Sequence, residues 1–250
     1  DPSWRTGMAL LNYYTAESNW DKVVETGKKY IRKYPDNYYI GLKYANGLCE
    51  TRQYGSCISL LSKMQVLPNE GSYAGRAVYR AANLYQAMDQ FSKRRYDAVL
   101  KSIKASEEWP ENLGVGKPYD DQIDKRLEDY LEAKVYEKKG ETAKAQTLLD
   151  KVSSHPTSTR NFESAHLLTA LALRDTGKQA EADKLVASWK KDFPESKPAQ
   201  WCAAVYHGNM DQARELLSSR YASNETTPWE TGYRDTNFDL IARLFSEVPR

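Results

Sequence analysis

Several residues in this chain are of types that do chemistry, but their spacing works against it. Gly114-Val115-Gly116-Lys117-Pro118 contains the Gly-Lys pair of a phosphate loop. A Walker loop needs a further Gly with four residues between it and that pair, and Glu111 stands there. It also needs Ser or Thr after the Lys, which here is Pro118, and a preceding strand, which the pattern does not offer. The same stretch reads better as a rigid connector bounded by Pro110 and Pro118, with glycines that permit positive φ and with Trp109 and Leu113 as anchors. His155, His166 and His207 fall in different segments, at expected surface or loop positions, and none pairs with His or Cys at metal-ligand spacing. The three cysteines, Cys49, Cys57 and Cys202, are too odd in number for a fully paired disulfide framework and form no CxxC. Cys49 and Cys57 occupy apolar helix positions, where a free thiol behaves as a small hydrophobe. No GxSxG motif or Ser-His-Asp set can be assembled. Glu107, Glu108 and Glu111 make the tightest acidic group and read as a loop entry. Asn224-Glu225-Thr226 is a glycosylation sequon, meaningful only in a secreted eukaryotic protein. The expectation is a non-catalytic chain with no cofactor and no metal.

The bulk composition agrees. Hydrophobic residues make up 40% of the 250 residues and charged residues 28%. With 18 Tyr, 6 Trp and 5 Phe there is ample apolar area for a core, so disorder is not expected. A net charge of +2 is too small for a nucleic-acid binder. The densest basic spots, Lys28-Lys29 with Arg32-Lys33 and Lys93-Arg94-Arg95, have acidic neighbours and read as solvated helix faces. No apolar run is long enough to span a membrane. The chain opens Asp1-Pro2-Ser3-Trp4 without Met, and reads as a piece of a longer protein or as a mature chain after signal removal.

The strongest signal is internal repetition. Ala133 is a small residue on a first helix, Tyr136 follows, Gly140 makes a turn, Ala145 and Leu149 pack a second helix, and Pro156 ends the unit. Ala170, Leu173, Gly177, Ala182, Val186 and Pro194 repeat the scheme, and Ala204, Gly208, Ala213 and Leu217 repeat it in shorter form. Three more degenerate units precede: Leu10, Tyr14, Val23, Tyr30 and Pro35; then Ala45, Leu48, Tyr54, Cys57, Leu61 and Pro68; then Ala87, Tyr96, Val99, Ile103 and Pro110. Helices are expected over 3–17, 20–33, 37–51, 54–65, 72–93, 95–107, 121–139, 141–153, 160–176, 178–192, 197–207, 210–219 and 235–247, and no strand.

This pattern resembles the tetratricopeptide repeat (TPR) over most of the chain. The resemblance implies an all-α, right-handed superhelical solenoid of about six helix pairs over 1–220, with 221–250 as a loop and capping helix of the same domain. In such arrays the first helix of each pair lines a groove. The positions that would face it include Arg5, Met8 and Asn12; Tyr39, Leu42, Asn46 and Cys49; Leu84, Met88 and Phe91; Leu127, Tyr130, Lys134 and Glu137; and Ser164, Leu167 and Leu171. The polar and aromatic members Arg5, Asn12, Tyr39, Asn46, Tyr130, Lys134 and Glu137 are the candidate partner-binding residues.

A narrower resemblance rests on Gly75-Arg76-Ala77-Val78-Tyr79-Arg80-Ala81-Ala82-Asn83-Leu84, on Trp109-Pro110-Glu111-Asn112-Leu113-Gly114-Val115-Gly116-Lys117-Pro118, and on Glu128-Asp129-Tyr130. These stretches resemble the helical repeat region of large Bacteroidetes proteins, in which such an array follows β-rich domains that look like carbohydrate-handling modules. The resemblance implies a periplasmic or cytoplasmic bacterial protein. The repeat pattern and the missing catalytic constellation lead to the expectation of a scaffold that holds a protein or peptide, with the β-rich part of the same full-length chain as the leading partner. The alternative is a glycan-binding or glycoside-hydrolase-associated module, with Trp109, Trp201 and Trp229 as sugar platforms.

Overall fold

The computed structural model describes residues 3–68, 73–157, 161–222, 235 and 237–247. Thirteen α-helices occupy these residues, and no strand occurs among them. They are α1 (Trp4–Ala16), α2 (Trp20–Lys33), α3 (Tyr38–Glu50), α4 (Tyr54–Leu61), α5 (Ala74–Ser92), α6 (Tyr96–Ser106), α7 (Arg126–Lys139), α8 (Thr142–Ser153), α9 (His166–Asp175), α10 (Gln179–Asp192), α11 (Lys197–Tyr206), α12 (Met210–Ala222) and α13 (Phe238–Glu247). The chain divides into two compact units, Asp1–Ile123 and Asp124–Arg250.

One turn recurs throughout both units. It joins α1 to α2, α3 to α4, α5 to α6, α7 to α8, α9 to α10 and α11 to α12. In each, one residue adopts the left-handed conformation: Ser18, Arg52 and Arg94 in the first unit (φ 51°, 61° and 57°), Gly140, Gly177 and Gly208 in the second (φ 76°, 82° and 76°). The next backbone N–H then reaches back five residues to a carbonyl in the last turn of the helix. These bonds run from Asn19 to Tyr14, Gln53 to Leu48, Arg95 to Gln90, Glu141 to Tyr136, Lys178 to Leu173 and Asn209 to Ala204, at 2.8–2.9 Å. This is the Schellman arrangement, which satisfies carbonyls that the ending helix leaves free and turns the chain away from its axis. The sequence announces it by glycine only in the second unit.

At two of the connections between pairs a side chain caps the helix that follows. Asn37 accepts from the Ile40 N–H ahead of α3, and Ser196 accepts from the Ala199 N–H ahead of α11. Within the first unit α3 packs on α1, α2, α4 and α5; within the second α9 packs on α7, α8, α10 and α11. Within each unit the first helices of successive pairs therefore touch one another. The small residues Ala45, Ala87, Ala133, Ala170 and Ala204 on first helices are all buried. The first pair departs from the expected register. Leu10 is exposed and its neighbour Leu11 is fully buried, in a core with Val23, Tyr30 and Ile40. Gly7, not Leu10, sets the register, because its α-carbon lies directly against the Tyr30 ring.

The Pro-bounded connector is an ordered brace of the first unit. The Asn112 side-chain amide donates to the carbonyls of Leu61 (2.9 Å) and Met64 (2.7 Å), and the Asn112 carbonyl accepts from the Val66 N–H (2.8 Å). These bonds take up carbonyls at the end of α4, which stops at Leu61 rather than continuing to 65. Leu113 is buried as expected, and Gly114 sits at φ 71° with the Val66 carbonyl oxygen 2.7 Å from where a Cβ would be. Two helices begin later than expected. The Asp124 carboxylate accepts from the Arg126 N–H (2.9 Å) and starts α7 there, not at 121. The Asp235 carboxylate takes the Ser164 N–H (2.6 Å), and α9 starts at His166, not at 160. Helix α13 buries Phe238, Leu240, Ile241, Ala242 and Leu244, with Phe238 edge-on to Trp201 at 5.1 Å. The loop before it, including the sequon and Trp229, lies outside the described residues.

The two kinds of turn predict opposite substitution effects. Nothing lies within 4 Å of a Cβ at Gly177, so Gly177→Ala costs only the left-handed strain, about 1 kcal/mol in urea unfolding. Arg94→Gly relieves the same strain and stabilises by up to about 1 kcal/mol. Gly114→Ala adds a clash with backbone and costs more than Gly177→Ala, about 2–4 kcal/mol.

Candidate functional site

The candidate residues separate by unit. In the first, Arg5 and Asn12 are both exposed on α1, and Arg5 stacks over the Trp4 ring at 4.6 Å. On α3, Tyr39 is 51% exposed and stacked on Tyr38 at 4.2 Å, and Asn46 is half-buried. Each helix thus carries two of these residues seven positions apart, on one face.

In the second unit Tyr130, Lys134 and Glu137 do come together, with partners the pattern did not name. Lys134 Nζ donates to Asp175 Oδ2 at 2.7 Å and to Glu137 Oε1 at 3.0 Å, and lies 5.1 Å from the centre of the Tyr130 ring. Burial works against the Lys134 charge, but Tyr130, Asp175 and Glu137 outweigh it and raise its pKa. This ammonium is held charged and cannot act as a base or nucleophile near neutral pH. Tyr130 is only 6% exposed, so it supports Lys134 from beneath rather than meeting a partner. Burial lifts its hydroxyl pKa to about 12. The array continues along α9 to α11. Arg174 sits 5.5 Å over the Tyr206 ring, and the Tyr206 hydroxyl donates to Asp183 (2.8 Å) and accepts from Gln179 (2.9 Å). Arg174 could have been read from the sequence: it follows Ala170 by four residues as Glu137 follows Ala133.

Most of the apolar members of the predicted groove series are core, and Met8 and Leu42 are half-buried. Cys49, Leu84, Met88, Phe91, Leu127, Ser164, Leu167 and Leu171 are all buried between helices. The exposed face is therefore narrower than the periodicity implies.

A second polar cluster was not foreseen. Arg126, at the start of α7, is 2% exposed on its side chain. Its guanidinium meets Asp124 Oδ2 at 2.7 Å, Glu163 Oε2 at 2.8 Å and the Thr169 hydroxyl at 3.4 Å. Burial opposes the Asp124 charge, but the Arg126 hydrogen bonds and charge hold its carboxyl below the usual range. His166 is 1% exposed rather than at the surface, because α9 begins inside the unit with the Phe162 ring edge-on to the imidazole at 5.5 Å. His155 is half-buried and His207 exposed. No group of three His, Cys, Asp or Glu that could hold a metal ion occurs among the described residues. Cys49, Cys57 and Cys202 are buried and in no disulfide, and burial pushes the Cys202 thiol well up. Two of the three tryptophans proposed as sugar platforms are otherwise engaged: Arg76 covers the Trp109 ring at 4.5 Å, and Trp201 is 3% exposed.

No helix among the described residues is long and apolar enough to cross a membrane. No protein-family model, curated protein or solved structure matches this chain.

Two substitutions separate the buried cluster from the surface one. Arg126→Met leaves Asp124 and Glu163 without their cation and destabilises by about 3–5 kcal/mol in denaturant unfolding. Lys134→Met costs about 1 kcal/mol, and a double-mutant cycle with Asp175→Asn gives a coupling of about 0.5–1 kcal/mol, because this pair keeps contact with solvent.

Proposed function

We propose that the chain is a non-catalytic interaction scaffold. In this reading its helix pairs stack as a right-handed, TPR-like solenoid whose first helices present a groove to a protein or peptide. The β-rich part of a longer parent chain is the leading partner. The observation that carries the reading is the contrast between the helices of a pair in what they leave exposed. The first helices α1, α3 and α7 carry Arg5, Asn12, Tyr39, Asn46, Lys134 and Glu137 on faces where aromatic and amide groups accompany charge. The second helix α2 instead exposes a conventional charged surface of Lys28, Lys29, Arg32 and Lys33. Aromatic and amide side chains contribute contact area and adaptable hydrogen bonds at protein interfaces, whereas lysine-rich faces are depleted there.

The preorganised Lys134 array fits the same role. Its charges are already fixed by hydrogen bonds, so a partner meets it with little further loss of side-chain freedom.

The test is binding of the β-rich remainder of the parent chain, measured by calorimetry with purified pieces. The combined variant Tyr39→Ala, Asn46→Ala and Lys134→Met weakens binding at least tenfold, while Lys28→Ala with Lys29→Ala on α2 changes it less than twofold. Absence of binding at micromolar concentration, or equal loss in both variants, would count against a scaffold that uses its first helices.

A further inference from the structure

We propose that Arg126, Glu163 and His166 form a proton-operated latch that fastens the start of α7 to the turn before α9 and loosens it in acid.

The geometry has one carboxylate oxygen at its centre. Glu163 Oε2 accepts from Arg126 Nη2 at 2.8 Å, and the same oxygen lies 3.8 Å from His166 Nε2. That nitrogen is buried and has no hydrogen-bond partner. A buried polar atom left unpaired costs stability, and such an atom is otherwise rare. Here it faces an acceptor about one ångström beyond bonding distance, so a proton would supply what it lacks. When Nε2 takes a proton from solvent it becomes a cationic donor. The carboxylate oxygen 3.8 Å away is the one that Arg126 already holds, and the Arg126 charge bears on the imidazole. Glu163 must then be shared or surrendered, and two like charges stand together in a nearly dry site. Either change weakens the only tie that the Arg126 guanidinium makes to the turn at 161–165. Its bond to Thr169, at 3.4 Å, is long, and Asp124 lies on its own side of the joint.

Other charged groups surround the imidazole. Arg126 and Asp124 face it from the start of α7. His155 faces it from the end of α8, with Asp129 behind His155 and itself paired to Lys151 at 2.7 Å. Glu163 comes from its own turn, and α10 adds the Trp189 ring through Phe162. Burial first, then Arg126 and His155, lowers the His166 pKa to about 4, with Asp124 opposing. The folded protein therefore binds the proton later than the unfolded chain, whose histidines titrate near about 6.5. Stability from this site is fully present above about pH 6.5 and is lost as pH falls toward 4.

Backbone hydrogen exchange and the His166 ring resonances, followed by NMR from pH 7.5 to 4.5, test the latch. In the native protein His166 titrates well below the ordinary histidine value. The amides of Asp129 and Thr169 gain at least tenfold in intrinsic-corrected exchange toward pH 4.5, while amides of α11 do not. In His166→Gln, which cannot take up the proton, the tenfold gain is absent. Glu163→Gln, offered in case that variant does not fold, shows fast exchange at Asp129 and Thr169 already at pH 7.5. An ordinary His166 titration, exchange that does not change with pH, or a pH response in His166→Gln equal to that of the native protein would each overturn the proposal.

Discussion

The fold depends on a reversal of the chain that it makes again and again. An α-helix cannot turn back on itself without freeing its last carbonyls, and a free buried carbonyl is costly. In this chain a single left-handed residue followed by a five-residue backward hydrogen bond solves that problem at every turn within a helix pair. Once the turn is fixed, the second helix must lie against the first, and the apolar stripes of both are committed to each other. Within each unit the first helices of neighbouring pairs also pack on one another, and their remaining faces are what the proposed partner would reach.

Much of this could be read from sequence, for a physical reason. Gly140, Gly177 and Gly208 mark their turns because glycine takes positive φ without steric cost. Ser18, Arg52 and Arg94 make the same turn without that mark, so the first unit reads as degenerate although its geometry is the same. The sequence leaves the register of α1 open by one residue, because Leu10 and Leu11 are adjacent and equally apolar; the contact of Gly7 with Tyr30 decides between them. Helix starts at Arg126 and His166 were likewise hidden, since they depend on the carboxylates of Asp124 and of distant Asp235.

The candidate site was legible in part. Period alone placed Arg5, Asn12, Tyr39 and Asn46 on accessible or half-accessible faces. It could not tell that Tyr130, on the same series, is covered, because a tyrosine serves equally as core and as surface. Nor could it find Asp175, which reaches Lys134 from another helix, or the Arg126 cluster, whose members lie apart in sequence. The two clusters also differ in kind. Around Lys134 the charges keep contact with solvent and can be offered to a partner; around Arg126 they are internal and hold helices together.

The central claim is that first helices of the pairs carry the interaction and second helices carry the structure. Hydrogen–deuterium exchange of the chain with and without the proposed β-rich partner tests this most directly. The account predicts new protection on α1, α3 and α7, centred on Asn12, Asn46 and Lys134, with α2, α4 and α8 unchanged. Protection confined to α2, α4 and α8, or no protection anywhere in the chain, would contradict it.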